Sequence, residues 1–391
     1  MKILLLEDNQ KKRETIREAV LEVVPGAKID CAMNWFDYSR QIVATEFDLI
    51  LLDLVVPRSA RDSRVEDHRA QLVETTRDYA SKSFRTPAIV LTEYLAQSEE
   101  CFPSFNNVDI TVISFDLQGE WKEALRLKIL AARPKPKFEF IIFCALEIEV
   151  SAYEKTVESF GELQTISGLL CREVLIANRE GVIVQASRMG LVTGAVTASL
   201  AIERFEPRLV CMSGICGGAP QQAAIYDLLI TDVCHQHDVG KWSDEGFKSE
   251  HYDVQIDNGV RNKLEELRAN KAMHRLIAEN LGVKSSEYPA GVEEVAPKQL
   301  IVPTSSGSAV IAEEGKTDSL SVGQRKLAGF DMEVFAIYEA ARLAAGKPSF
   351  FAVKSVVDDG DKNKGDRFHR VGSLLSARFV TEAIRRGIVD V

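Results

Sequence analysis

At 391 residues the chain is longer than the roughly 100 to 200 residues of a typical domain, so two domains are expected, each able to bury its own core. A content of 46% hydrophobic, 27% charged and 7% aromatic residues is that of an ordinary globular protein and excludes a disordered chain. Forty-eight Lys and Arg against 58 Asp and Glu leave a net charge of −10, which excludes a general affinity for nucleic-acid polymers but not a local basic pocket.

The first 130 residues alternate short apolar runs with amphipathic stretches, the rhythm of a doubly wound α/β domain with a parallel sheet. Ile3 to Leu6 reads as a buried strand, interrupted at once by Glu7 and Asp8. With no run approaching the 18 or so apolar residues of a membrane span, the chain is expected to be neither spanning nor secreted. A helix over Lys11 to Val24 stops at Pro25-Gly26. The series continues with a strand at Ala27 to Asp30, a helix through Trp35 to Ala44, strands at Leu49 to Leu52, Ala88 to Leu91 and Ile110 to Ile113, and a helix at Glu120 to Leu130.

The segment Arg133-Pro-Lys-Pro-Lys137 favours an extended, solvated backbone and reads as a linker, which gives domains over 1–132 and 138–391. After it come strands at Phe140 to Ala145 and Val182 to Ser187, a helix at Thr193 to Phe205, and strands at Leu209 to Ser213 and Asp227 to Asp232. A charged helical region spans Asn258 to Leu281, followed by a strand near Leu300 to Pro303, a helix at Glu333 to Ala345, a strand at Phe350 to Val356 and a helix at Gly372 to Arg386. The seven cysteines are scattered and form no CxxC, so reduced thiols in a cytoplasmic protein are expected rather than disulfides or a zinc site.

Parallel sheets bind ligands at the carboxyl ends of their strands, and three strands of the first domain end in Glu7-Asp8, in Asp53 and in Thr92. Neighbouring carboxylates repel unless they share a cation, which suggests a Mg²⁺ site at Glu7, Asp8 and Asp53. At Lys2-Ile-Leu-Leu-Leu-Glu-Asp8, Asp48-Leu-Ile-Leu-Leu-Asp53-Leu-Val-Val-Pro57 and Ile89-Val-Leu-Thr92 the chain resembles the receiver domains of bacterial response regulators. The resemblance implies a flavodoxin-like fold, Asp53 as phosphoacceptor, Thr92 as switch residue and an upstream sensor kinase or phosphotransfer protein as partner. The family's lysine after the fifth strand belongs near Ser114-Phe115, where this sequence has none. An unphosphorylated receiver kept as an interaction surface is the rival reading.

In the second domain, four segments carry chemistry together: Ala145-Leu-Glu-Ile-Glu149-Val150 after a strand, the glycine-bearing Arg188-Met-Gly190 and Ser213-Gly-Ile-Cys-Gly-Gly-Ala219, Phe330-Asp-Met332-Glu333 opening a helix, and Lys354-Ser-Val-Val-Asp358 ending a strand. Cleaving a ribose from a purine needs an acid for the leaving base, a base for the attacking water and an anion beside the oxocarbenium-like sugar, and Glu149, Glu333 and Asp358 could supply these. The constellation resembles the nucleoside phosphorylase superfamily, in particular its methylthioadenosine/S-adenosylhomocysteine nucleosidases, over roughly residues 138 to 391. The resemblance implies an α/β domain with a mixed central sheet that requires no cofactor. It makes Glu149 the water-activating glutamate, Glu333 the ligand of the ribose hydroxyls with Met332 packed on the sugar, and Asp358 the donor to purine N7. It also places Gly190 and Gly214 against the substrate, Val310 and Ile311 beside the base, and Phe368 near the leaving base. Met212 and Ile215 stand where phosphorylases hold inorganic phosphate, and an apolar pair cannot bind a dianion, which favours water as nucleophile.

A nucleotide substrate requires cations near its 5′ end, and Arg188, Lys241, Lys354, Lys362, Lys364, Arg367 and Arg370 are available, each alternatively a solvated surface charge. His235 and His237 read as structural or pocket-lining rather than metal-binding. A receiver joined to a nucleosidase resembles the terminal effectors of Detocs antiphage defence systems. That architecture implies hydrolysis of ATP or a related adenine nucleotide to adenine and ribose-5′-triphosphate, gated by phosphorylation of Asp53. A methylthioadenosine-type nucleosidase, a nucleoside phosphorylase under receiver control, and a nucleotide sensor without turnover are the alternatives. A homo-oligomer is expected from the superfamily alone.

Overall fold

The computed structural model describes the chain apart from residues 63, 94–104, 117, 135, 245, 251, 310–323 and 360–365. It divides into two compact units, Met1–Lys135 and Pro136–Val391.

The first unit contains β1 (Lys2–Leu6), α1 (Gln10–Val23), β2 (Lys28–Ala32), α2 (Trp35–Ala44), β3 (Leu49–Leu52), β4 (Val55–Pro57), β5 (Val65–Asp67), α3 (Arg69–Thr76), β6 (Ala88–Thr92), β7 (Ile110–Ser114) and α4 (Trp121–Ala132). Five strands form a wholly parallel sheet in the order β2-β1-β3-β6-β7, the 2-1-3-4-5 doubly wound arrangement. Strand β3 is buried on both faces, as its continuous Leu-Ile-Leu-Leu run requires, with one apolar cluster on each side of the sheet. Asn9 and Asn34 cap α1 and α2 by accepting from the backbone N–H three residues on. The small β4–β5 hairpin is not evident in the sequence, because its second strand, Val65–Asp67, is exposed and carries no apolar alternation.

The second unit begins with β8 (Phe140–Cys144) and α5 (Glu147–Ser151), then β9 (Ser159–Phe160), β10 (Gln164–Ile166), β11 (Leu169–Ile176), β12 (Arg179–Gln185), α6 (Leu191–Phe205), β13 (Leu209–Gly218) and β14 (Leu228–Gln236). It continues with the hairpin β15 (Gly240–Ser243) and β16 (Gly246–Ser249), β17 (Asp253–Gln255), α7 (Asn258–Ala269), α8 (Lys271–Ala278), β18 (Gln299–Ser306), β19 (Gly329–Asp331), α9 (Val334–Leu343), β20 (Ser349–Asp358) and α10 (His369–Arg385). The main sheet is mixed, and the pairings β13–β20, β20–β14, β14–β18, β18–β19 and β19–β13 close a ring of five strands. One apolar core joins this sheet to α6, α9 and α10.

The charged helical region Asn258 to Leu281 consists of two helices. Asn270 ends α7 in extended conformation and caps α8 through Met273 N, at 3.1 Å. Strands β13, β18 and β20 run further than their apolar stretches suggest, because Gly217, Ser306 and Asp358 still pair at the rim of the ring.

Gly181 shows how tightly β12 meets β8, since a Cβ there would lie 2.1 Å from the Phe140 ring. Gly181→Ala is therefore expected to destabilise the second unit by about 1–3 kcal/mol through overpacking, read from the urea midpoint of its unfolding transition.

Candidate active site and carboxylate cluster

A cavity of about 520 Å³ opens where the ring strands end, and its wall includes Glu149, Phe330, Met332, Glu333, Lys354 and Asp358. That volume suits a small organic ligand.

Glu149 follows β8 on the short helix α5 and is 2% exposed. Its Oε2 accepts from the backbone N–H groups of Ala145 (2.7 Å) and Leu146 (3.0 Å), and its Oε1 from that of Ile215 (2.9 Å). Three main-chain donors from two segments thus fix the carboxylate. The fit requires glycine at 214, because a Cβ there would lie 2.0 Å from Oε1.

Glu333 precedes α9 and accepts from Gly190 N at 3.1 Å. Gly190 has φ +113°, a left-handed-side conformation that favours glycine and lets its N–H point at this carboxylate. The turn holding Met332 and Glu333 is set by Asp331, whose Oδ1 accepts from Glu333 N (2.7 Å), Val334 N (2.8 Å) and Ser306 Oγ (2.9 Å). Asp358 ends β20 opposite Gly217, next to an irregularity in the β13–β20 register at Cys216/Gly217.

Lys354 lies among these acids. It is 2% exposed, with Nζ 3.7 Å from Glu333 Oε2. Burial pushes the ammonium down, but Glu149, Glu333 and Asp331 outweigh it and hold the lysine above its ordinary value. Burial raises Glu333 in turn, against the pull of Lys354. The reading of Lys354 as a solvated surface charge is therefore corrected: it is an internal counter-ion.

Arg188 is exposed and not part of the cavity wall, which its neighbour Met189 joins instead. Phe368 turns its ring edge-on to Tyr226, with centroids 5.5 Å apart, while Asp366 and His369 line the cavity. Val310, Ile311, Lys362 and Lys364 lie outside the described residues. Arg367 donates to the carbonyls of Ser286 and Tyr288. Arg370 pairs with Glu287 at 2.7 Å and holds that carboxyl down to about 2. Lys241 is exposed on β15. Of the cations considered for a 5′ phosphate, only Lys354 lines the cavity among the described residues. His235 pairs with Asp253, and His237 with Ser305 Oγ at 2.8 Å.

In the first unit, carboxylate oxygens of Glu7, Asp8 and Asp53 lie within 4.8 Å of one another at the strand ends. Glu7 and Asp53 are buried and Asp8 is half-buried. Burial and the neighbouring Asp53 raise Glu7 to about 7 in spite of Lys12, and burial raises Asp8. Such hard oxygen donors fit Mg²⁺, and Glu7 Oε2, which is buried with the Lys12 ammonium 2.9 Å away, keeps a lone pair for a cation. Asp53 Oδ1 accepts from Leu54 N at 2.7 Å, and Thr92 is fully buried at the end of β6. Sequence reasoning missed Lys12, whose Nζ donates to Asp53 Oδ2 at 2.8 Å. The available signal was its place in the stripe Lys12, Ile16, Ala19 and Val20, the buried face of α1.

Residues 139–385 match the family described as the phosphorylase superfamily, and the chain belongs to that family. An uncharacterized protein y4jS from Sinorhizobium fredii is 26% identical over 99% of both chains. The 5′-methylthioadenosine/S-adenosylhomocysteine nucleosidase of Mycobacterium bovis is 33% identical over 27% of this chain and 40% of its own length. The ATP nucleosidase Cap17 of Escherichia coli is 19% identical over 63% of this chain and 51% of its own. This chain thus spans about half or less of the length of these last two relatives. Among solved structures, futalosine hydrolase of Helicobacter pylori superposes with a TM-score of 0.51 at 17% identity, covering 64% of this chain and 98% of that one. The fold of the second unit is therefore of the nucleosidase type.

Lys354→Met would strand buried carboxylates without their counter-ion. It is expected to destabilise the second unit by about 3–5 kcal/mol, and Lys354→Met/Glu333→Gln by less, both measured by urea unfolding.

Proposed function

We propose that the second unit hydrolyses the N-glycosidic bond of an adenine nucleotide, with ATP as the substrate reading, and that phosphorylation of Asp53 in the first unit gates this activity in antiphage defence. The observation that carries the hydrolytic reading is the convergence of Glu149, Met332, Glu333 and Asp358 on one cavity.

In this mechanism Glu149, held by its three amides, takes a proton from a water molecule whose oxygen bonds to the sugar C1′. The C1′–N9 bond breaks with its electron pair going to the purine, and Asp358 supplies the proton that neutralises the leaving base at N7. Glu333 accepts from the ribose hydroxyls and, with Met332 against the sugar, faces the positive charge that develops there. Lys354 offsets the mutual repulsion of Glu149, Glu333 and Asp331, whose charges in turn hold its ammonium protonated. Water is preferred to phosphate because Ile215 presents an apolar side chain to the cavity and its N–H is already given to Glu149. Met212, the other residue at the phosphate position, is buried.

The likeness to ATP nucleosidase Cap17 over 63% of the chain supports ATP. A methylthioadenosine-type substrate is the second reading, favoured by the apolar Ile148, Met189 and Ala309 in the wall. In the first unit, the phosphoryl donor would be an upstream kinase or phosphotransfer protein. Glu7, Asp8 and Asp53 would hold Mg²⁺, which when bound offsets charge on the transferring group.

Adenine release should be followed from ATP, dATP, adenosine and methylthioadenosine, with and without inorganic phosphate and a phosphoryl donor. Adenine with ribose-5′-triphosphate from ATP, altered by the phosphoryl donor, is the expected result. Release from methylthioadenosine alone would remove the nucleotide reading, and ribose-1-phosphate would indicate phosphorolysis. Glu149→Gln and Asp358→Asn are each expected to lower turnover by about 10²-fold or more with folding retained, checked in the same assay.

A further inference from the structure

The carboxylate cluster of the first unit contains a cation of its own. Lys12 sits in the first turn of α1 and is 5% exposed, on the face that α1 buries. Asn9 ties this turn to the cluster: its Oδ1 accepts from Lys12 N at 3.2 Å, and its N–H donates to Glu7 Oε1 at 3.0 Å. The ammonium donates to Asp53 Oδ2 at 2.8 Å and to the Leu91 carbonyl at 3.0 Å, and stands 2.9 Å from Glu7 Oε2. Below it, 5.3 Å away, is the ring of Phe115, directly after β7.

Two features bear on what this ammonium does. Glu7 Oε2 is buried with this ammonium as its partner, and a carboxylate oxygen, with two lone pairs, keeps acceptor capacity for a second electropositive partner. The end of β7, which could have delivered a lysine to Asp53, carries Ser114 and then Phe115, and Phe115 serves as an aromatic floor for a lysine arriving from the opposite side of the sheet order.

We propose that Lys12 is the phosphoryl-binding cation of this unit, delivered from α1 rather than from the end of β7. The inference rests on the reading of Asp53 as phosphoacceptor. In that step an Asp53 carboxylate oxygen forms a bond to phosphorus. The bond from phosphorus to the leaving group of an acyl phosphate or phosphohistidine donor breaks, its electron pair staying with the donor. The aspartyl phosphate places up to two negative charges on terminal oxygens next to where Lys12 now meets Asp53 Oδ2, so the ammonium need only exchange one acceptor for another. Before transfer, the same ammonium competes with a divalent cation for Asp53 and Glu7. Removing it must therefore act in opposite directions on the two ligands.

The test uses the full chain with Trp35→Phe and Trp242→Phe, which leaves Trp121 as the only tryptophan. Its ring centroid is 4.7 Å from that of Phe115, so it reports on the floor beneath Lys12. Fluorescence titrations with Mg²⁺ alone, and with beryllofluoride at saturating Mg²⁺ as an aspartyl phosphate mimic, are run on this protein and on its Lys12→Ala derivative. The expected result is Mg²⁺ binding at least threefold tighter and beryllofluoride binding at least tenfold weaker in Lys12→Ala. Lys12→Met, which keeps an aliphatic stem on the buried stripe, replaces it if Lys12→Ala does not fold. Equal beryllofluoride affinity with and without Lys12 overturns the proposal. A parent protein that binds neither ligand overturns instead the phosphoacceptor reading on which the proposal rests.

Discussion

The ion pairing of Lys354 inside the cavity of the second unit is the interaction on which the site depends. Glu149 and Glu333 are almost wholly buried, and Asp331 adds a third charge nearby. In a medium of low polarity such a group would ordinarily shed its charge by binding protons. One ammonium at the centre opposes that tendency while standing too far from Glu333, at 3.7 Å, to consume its lone pairs in a hydrogen bond. The acids stay together, and Glu333 Oε2 keeps its lone pairs for a ligand. The first unit uses the same arrangement on a smaller scale, with Lys12 between Glu7 and Asp53.

The ring of strands determines where those acids can be. Met332 and Glu333 follow the end of β19, Asp358 ends β20, Ser306 ends β18 and Gly217 sits near the end of β13, so chain segments far apart in sequence arrive at one rim. The rim is kept open by residues without side chains. Gly214 makes space for Glu149, and Gly217 makes space for the Phe330 ring, which would lie 2.3 Å from a Cβ.

Much of this was legible in the sequence, for definite reasons. Strands such as Leu49–Leu52 and Phe140–Cys144 are apolar on both faces, and only strands buried within a sheet need that pattern. The acids Glu149, Glu333 and Asp358 stand out because Glu149 follows an apolar strand, Asp358 closes one and Glu333 opens an apolar helix. The edge elements β9, β10, β15 and β16 were not legible, since short exposed strands carry no alternating pattern. Buried lysines were the harder case. Lys12 lies in Lys11-Lys12-Arg13 and looks like part of a solvated face, and Lys354 stands inside the strand read at Phe350 to Val356, where its charge looks like one turned to solvent. Their roles come from acids brought near by the fold, which local sequence does not contain. Phe368 and Arg370 show the converse, as the turn before α10 sends them to Tyr226 and Glu287 and gives the cavity wall to Asp366 and His369.

The donors that hold Glu149 are all peptide N–H groups, at Ala145, Leu146 and Ile215. Nineteen of the twenty amino acids offer that N–H, so the side chains at these three positions are free to drift for other ends, such as the shape or polarity of the cavity wall, without loosening the carboxylate. Proline is the exception, having no N–H to give. The grip on this glutamate is thus nearly silent at the positions that exert it, and leaves its clearest written trace in a residue that exerts no force at all, the glycine at 214.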